Sequence, residues 1–201
     1  MDSRGVTRLG TLRRGDRGAV AVEMAIVVPV LVLLAFGMLE FGLAFTNKLA
    51  MSHAVNQATR HATVLGTDDY ADIEILDALD AGLSGNVGAI VHVLIFKANA
   101  SGTPLVWDRY LPDADGVPCD WDPCPDPAIV GSVVYGNPAD YEPCSRDIKI
   151  GDGKVDTIGV QVAYTHTWIT GVLGFPPQTW HETARARLEP DIFGTGGPSC
   201  P

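Results

Sequence analysis

The segment from Ala19 to Leu39 constrains the fold most, because its 21 consecutive residues contain one charged side chain, that of Glu23. At about 1.5 Å per residue, a helix of this length measures about 30 Å, the thickness of the hydrocarbon core of a bilayer. Apolar residues occur on all sides of this helix, whereas a helix packed on a soluble core has one apolar stripe. The segment therefore predicts a membrane-spanning helix over residues 19–45, rather than a buried helix of a soluble protein. Pro29 lies within it and removes one helical hydrogen bond.

The charge distribution predicts the orientation of this helix. The first 18 residues carry five arginines and two aspartates, a net charge of +3, whereas the whole chain carries −10, which leaves −13 for the remainder. Basic residues stay on the cytoplasmic side of a membrane helix. We therefore expect a single-pass protein of the cell membrane, with a cytoplasmic leader at residues 1–18 and an extracytoplasmic C-terminal part. The acidic C-terminal part disfavours nucleic acid as a partner, since phosphates are bound by Lys and Arg.

The helix is expected to continue outside the membrane as an extension over residues 46–66. No Pro or Gly occurs from Phe45 to Leu65, and Gly66 is expected to end the helix. Alanine recurs at every fourth position, which places small side chains on one face and lets another backbone approach closely. These residues are Ala50, Ala54, Ala58 and Ala62. The alternative is that alanine only raises the helix propensity of this segment.

Residues 67–193 are expected to form an extracytoplasmic domain, followed by a C-terminal tail at residues 194–201. An amphipathic helix is predicted from Thr67 or Asp68 to about Leu83, with its acidic residues, Asp72 among them, away from the apolar face. Residues 89–98 are predicted to form a buried strand. Alternating apolar residues predict two further strands, over 158–164 and 180–188.

Residues 98–147 are rich in Pro, Asp and Gly and are expected to be a long irregular excursion, with a short strand near Val133. A hairpin turn is predicted at Asp152-Gly153. The predicted fold class is therefore α+β: a long N-terminal transmembrane helix that extends outside the membrane, then a small antiparallel β-sheet domain with a disulfide-bearing loop.

All four cysteines follow the predicted membrane helix, where the compartment is oxidising and disulfides are the expected state. These disulfide candidates are Cys119, Cys124, Cys144 and Cys200. Four cysteines allow three pairings, and the sequence does not choose among them. A zinc site that combines three of them with His166 is less favoured, because exposed thiolates oxidise outside the cell.

The common catalytic signatures are missing from the sequence. It contains no phosphate-binding G-x-x-x-x-G-K-[ST] loop and no G-x-S-x-G elbow, and His181-Glu182 is not followed by the second histidine of H-E-x-x-H. Asp147, Asp152 and Asp156 fit an Asp- and Gly-rich turn better than a calcium loop, whose ligand order they do not follow. We therefore expect a protein that is not an enzyme and that needs no cofactor or metal.

The residues around the start of the apolar segment resemble a type IV prepilin signal. A short basic leader ends at Gly18, and Glu23 is the fifth residue after it. Cleavage after Gly18 would leave the free amine of Ala19, and Glu23 lies one helical turn further on, within reach of that amine. A carboxylate in the first turn also suits the positive end of the helix dipole. An ionisable group inside a membrane is a functional candidate by default.

A longer stretch, about residues 13–66, is similar to the N-terminal segment of the TadE-like family, small proteins of the tight-adherence (Flp-type) pilus assembly system. Its pattern is G-A-x-x-V-E, an apolar run with proline, an E-F-G-like turn and an N-x-A-R-type segment. Here these elements are Gly18-Ala19, Val22-Glu23, Pro29, Glu40-Phe41-Gly42 and "NQATRHATVLG". The resemblance implies a pseudopilin or minor subunit, with Glu23, Pro29 and Glu40 acting in assembly.

The partners that this resemblance implies are membrane lipid, a prepilin peptidase, other Tad/Flp pilus components and further subunits that pack through the N-terminal helix. The alternative is an uncleaved single-pass anchor that displays an extracellular binding domain unrelated to pili. It predicts an intact leader and tolerance of any equally apolar replacement for residues 19–39.

Overall fold

The structure is a computed structural model and describes residues 14–83, 90–114, 119–125, 141–149, 155–169, 171 and 174–190. Helix α1 runs unbroken from Arg14 to Leu65, with Pro29 in its interior. It ends where the sequence predicts, because Gly66 adopts a positive φ of 58°, which favours glycine. The turn expected at Glu40-Phe41-Gly42 is wrong, since α1 continues through these residues.

Helix α2, Ala71–Leu83, folds back against the C-terminal half of α1. Its start is fixed by Asp68, whose side chain accepts a 2.9 Å hydrogen bond from the Tyr70 N–H and whose carbonyl accepts one from the Ala71 N–H. Its buried face includes Ile75, Leu76 and Leu79, in agreement with the predicted amphipathic helix. The position predicted for Asp72 is wrong, because this side chain lies on the buried face.

Within the described residues, five antiparallel strands form one sheet: β1 Ile90–Ala98, β2 Pro104–Pro112, β3 Trp121–Asp122, β4 Thr157–His166 and β5 Gln178–Arg187. Their order in the sheet is β3-β2-β1-β4-β5. Strands β1, β4 and β5 confirm the three predicted strands, and the α+β class is confirmed. The prediction of an irregular excursion over 98–147 is wrong for β2 and β3, which lie within it. The strand expected near Val133 and the turn at Asp152-Gly153 lie outside the described residues.

The core lies between the inner face of the sheet and the two helices. Alternate residues of β1 and β4 face inward, among them Val93, Ile95, Val160 and Val162. On the helix side, Met51 and Val55 of α1 are buried with the apolar face of α2. The C-terminal half of α1 is thus part of the folded domain, whereas its N-terminal half extends away from it.

A disulfide joins Cys119 to Cys124 and closes a small loop around β3. Cys144 is also disulfide-bonded. Because the sulfurs of Cys119 and Cys124 are bonded to each other, they are not available as thiolate ligands. This excludes a zinc site that combines both of them with His166. Cys200 and the tail at 194–201 lie outside the described residues.

Candidate functional site

The N-terminal part of α1 presents apolar side chains to its surroundings on every side. From Gly18 to Phe36 every residue is exposed, and so are most residues up to Leu39. Within the described part of the chain, this is the one helix that is long and apolar enough to cross a membrane. An apolar cylinder of about 30 Å without protein contacts needs lipid or other helices around it.

The predicted processing site lies at the beginning of this cylinder. Gly18, Ala19 and Glu23 are all within α1 and are exposed, with Glu23 one turn beyond Ala19. A side chain added at Gly18 would meet no atom within 4 Å. The local structure therefore places no steric demand for glycine at this position, so that a requirement for glycine would have to come from an enzyme that recognises it.

Glu40 lies where α1 first contacts the folded domain. Its side chain is 1% exposed, and its Oε2 accepts a 3.0 Å hydrogen bond from the backbone N–H of Ile169, which follows β4. One residue later, the Phe41 ring meets Trp168 edge to face, with 5.8 Å between ring centroids. The connection between β4 and β5 thus covers a carboxylate that an apolar helix would otherwise present to lipid.

The ring contacts continue from this point into the end of the sheet. The ring centroid of Trp168 lies 5.3 Å from that of Phe175 and 4.8 Å from that of His166. His166 in turn stacks on Trp180, with 4.6 Å between the ring centroids. The indole N–H of Trp168 donates to the Pro176 carbonyl oxygen at 3.2 Å. These contacts fix the described residues of the β4–β5 connection, 167–169, 171 and 174–177, against α1. The sequence signal that could have revealed it is the lack of charged residues from Thr167 to Thr179.

The alanine face of α1 packs inside the chain. Ala54, Ala58 and Ala62 are fully buried, and Ala50 is partly buried. A Cβ added at Gly82 of α2 would lie 2.9 Å from both Cα and Cβ of Ala54. A close backbone approach therefore occurs at this face between α1 and α2 of the same chain, whereas the alanine spacing led us to expect packing against other subunits outside the membrane.

A buried polar cluster ties the segment 141–149 to α2 and the sheet, and no sequence motif predicted it. Asp72 of α2 forms an ion pair with Arg146, and both side chains are fully buried. The Tyr110 hydroxyl of β2 donates to the same carboxylate at 2.6 Å. Burial alone would lower the pKa of Arg146, but Asp72 outweighs burial and the pKa is raised, so the guanidinium stays charged.

A second set of contacts holds the same segment from the other side. The Tyr141 N–H donates to Asp108 at 3.0 Å, and Lys97 Nζ lies 2.6 Å from Asp156 Oδ1. Burial raises the pKa of Tyr141, although the neighbouring Arg146 opposes this, so the phenol remains neutral. Asp72 pairs with Arg146, Lys97 pairs with Asp156, and Asp108 accepts the Tyr141 N–H, which indicates a structural role for the cluster.

Comparison with known proteins relates the N-terminal part of this chain to a protein family. No curated protein and no solved structure matches this chain. Residues 18–60 match the model of the TadE-like protein family, which confirms the resemblance seen in the sequence and suggests a role in Tad pilus assembly beside other components of that system.

Proposed function

We propose that this chain is a pseudopilin or minor subunit in the assembly of a Tad/Flp-type pilus. The observation that carries the proposal is that the family match begins at Gly18, at the start of an apolar helix that is exposed on every side. A prepilin peptidase would remove the leader, residues 1–18, and the span within 19–45 would hold the subunit in the membrane. The N-terminus would be cytoplasmic, and the domain after the helix extension would be extracytoplasmic.

The role proposed for Glu23 follows from its position. After cleavage, the new N-terminal ammonium of Ala19 would lie one turn from the Glu23 carboxylate. Neither charge is stable alone in lipid, so an ammonium and a carboxylate that meet there relieve the cost of both. The amine can be that of the same chain or that of a neighbouring subunit, in which case the pair sets the register between two helices.

The two halves of α1 would then have different tasks. The alanine face in the C-terminal half is covered by α2, so the apolar surface of residues 19–39 is the part that supports the proposed packing on other subunits. Transfer of this surface from lipid to neighbouring helices exchanges one apolar environment for another. It therefore needs shape and charge matching rather than a net hydrophobic gain.

Processing can be tested by N-terminal sequencing of protein extracted from the membranes of its native cells. We expect a mature chain that begins at Ala19. Gly18→Val should retain the leader, whereas Gly37→Val should be processed normally. The two glycines are a matched pair, because both lie in α1 and a side chain at either one meets no atom within 4 Å. A wild-type chain that retains the leader would refute the pseudopilin proposal and favour the uncleaved anchor.

Assembly can be tested separately by counting pili on cells that express Glu23→Gln. This change keeps the shape of the side chain and removes its charge, so we expect processing to continue and pilus formation to fall strongly. Glu74→Gln, an exposed residue in the first turn of α2, is the matched control and should form pili normally. Normal piliation of Glu23→Gln would remove the role proposed for this carboxylate.

A further inference from the structure

The depth of the folded domain relative to the bilayer follows from α1. If residues 19–39, which contain only one charged residue and lie within the proposed span, cross the hydrocarbon core, Glu40 and Phe41 lie at the boundary between hydrocarbon and headgroups. The β4–β5 connection is fastened to these two residues by the Ile169–Glu40 hydrogen bond and by the contact between Trp168 and Phe41. The connection is therefore held at the same boundary.

The side chains at this boundary suit an interfacial layer. Ile169 is 67% exposed, Phe175 is 46% exposed and Phe41 is 57% exposed. These apolar side chains therefore lie outside the packed core of the domain. Tryptophan is enriched where a membrane meets water, because its apolar ring and its N–H suit the two sides. The N–H of Trp168 is already satisfied by Pro176, so the ring can enter the acyl region without an unpaired donor.

Charge favours the same occupant. The chain carries −10 overall, but the stretch from Thr167 to Thr179 contains no Asp, Glu, Lys or Arg. Glu40, the carboxylate that accepts the Ile169 N–H, is 1% exposed. Insertion of the exposed apolar side chains therefore brings no charge into the low-dielectric layer.

We propose that Trp168, Ile169 and Phe175 of the β4–β5 connection, together with Phe41 of α1, lie in the interfacial layer of the lipid bilayer. This is a second membrane contact besides the span itself, and it rests on the proposed membrane span. This contact would fix the orientation of the domain about the axis of α1. A membrane helix alone leaves rotation about its own axis free, whereas a second contact with the bilayer restricts it.

The test is tryptophan quenching in the full chain, reconstituted into phosphatidylcholine vesicles that carry bromine atoms either near the headgroup end or near the methyl end of the acyl chains. We expect stronger quenching by the shallow bromines. Trp168→Phe should lower the quenching by shallow bromines by about twofold or more, because Trp168 is the tryptophan that the proposal places in the interfacial layer. Trp107→Phe is the matched control: Trp107 is 48% exposed on β2 and should be replaceable without loss of quenching.

A second variant guards against altered folding of Trp168→Phe. Ile169→Asp combined with Phe175→Asp keeps all tryptophans and should lift the connection out of the layer, so that shallow quenching falls. Leu105→Asp, at a residue of β2 that is 52% exposed, should leave quenching unchanged. Quenching that is equal in the wild type, Trp168→Phe and the double variant would overturn the inference, and so would protection of Trp168 by a second protein instead of lipid.

Extraction with alkaline carbonate separates the two levels of the proposal. A chain that stays in the membrane fraction but shows no quenching of Trp168 retains the span and loses the interfacial contact. A chain that is extracted into the soluble fraction loses the span, and with it the proposed function.

Discussion

Replacement of Arg146 by methionine tests whether the buried polar cluster holds the domain together. Arg146 and Asp72 form an ion pair in which both side chains are fully buried. Methionine has a similar length and no charge, so Arg146→Met leaves the Asp72 carboxylate buried with the Tyr110 hydroxyl as its remaining donor among the bonds described above. Removal of one partner of a buried ion pair typically costs about 3–5 kcal/mol, because the other charge stays desolvated.

The size of this effect makes it measurable. For a domain with an m-value of about 2 kcal/mol per molar urea, a loss of about 4 kcal/mol moves the unfolding midpoint down by about 2 M. The measurement is urea unfolding of the full chain in detergent micelles with its disulfides intact, followed by tryptophan fluorescence. Since small domains are stable by about 5–15 kcal/mol, the variant should be folded only at low urea.

Two further variants decide the cause. Arg187→Met removes the same type of side chain from an exposed position of β5 and should change the free energy of unfolding by less than about 0.5 kcal/mol. Asp72→Leu combined with Arg146→Met removes both charges and should recover part of the loss, since no unpaired charge remains. Equal midpoints for Arg146→Met and Arg187→Met would refute the reasoning.

Three other predictions follow from packing and titration. Gly82→Ala should destabilise the domain by about 1–2 kcal/mol in the same urea assay, because its Cβ overpacks the helix contact by more than the gain in helix propensity; Gly37→Ala, where a Cβ meets nothing within 4 Å, should not. Burial raises the pKa of Tyr164 to about 12, above its ordinary value of 10.0, so stability should be lost as the pH rises from 10 to 12, and Tyr164→Phe should flatten this loss in alkaline unfolding curves. Burial, with help from Arg109, lowers the pKa of His92 below its ordinary value of 6.5, so its contribution is present above pH 6.5 and lost in acid, and His92→Gln should reduce the acid loss measured by thermal unfolding.

The sequence predicted those elements whose local pattern agrees with their final environment. Helix α1 has an apolar run followed by regularly spaced alanines. Its end is marked in the sequence by Gly66, which adopts a positive φ in the structure. Strand β4 alternates Ile158, Val160 and Val162, which face the core, with Gly159, Gln161 and Ala163 on its other face. In these segments the residue types alone decide the period and the face.

Strand β2 could not be predicted, because some of its apolar side chains are exposed and one of its polar side chains is buried. Its apolar residues Leu105 and Trp107 are exposed, whereas the polar Asp108 is buried and accepts the N–H of Tyr141 from a distant segment. Proline at both ends reads as a loop, although proline is tolerated at strand ends. The partner that makes a buried aspartate acceptable lies 33 residues away, and no local period reports such a contact.

The same limit applies to Glu40. From the sequence, a carboxylate at the end of an apolar helix is only a charge at a membrane boundary, and its partner was not identified. The structure shows that its hydrogen bond comes from a backbone N–H 129 residues further along the chain. Because backbone donors carry no residue signature, this contact was not readable from any motif.

Glu40 also marks the boundary between the exposed part of α1 and the part that packs in the domain. The C-terminal half of α1 contributes Met51, Val55 and the alanine face to the core, so the domain cannot separate from α1 without exposing apolar surface to water. Below Glu40, the span has no such contacts among the described residues. Because α1 runs unbroken from Arg14 to Leu65, we expect a rotation or an axial shift of the proposed span to be carried into the domain. We therefore expect the register proposed at Glu23 to fix the position of the domain above the proposed span.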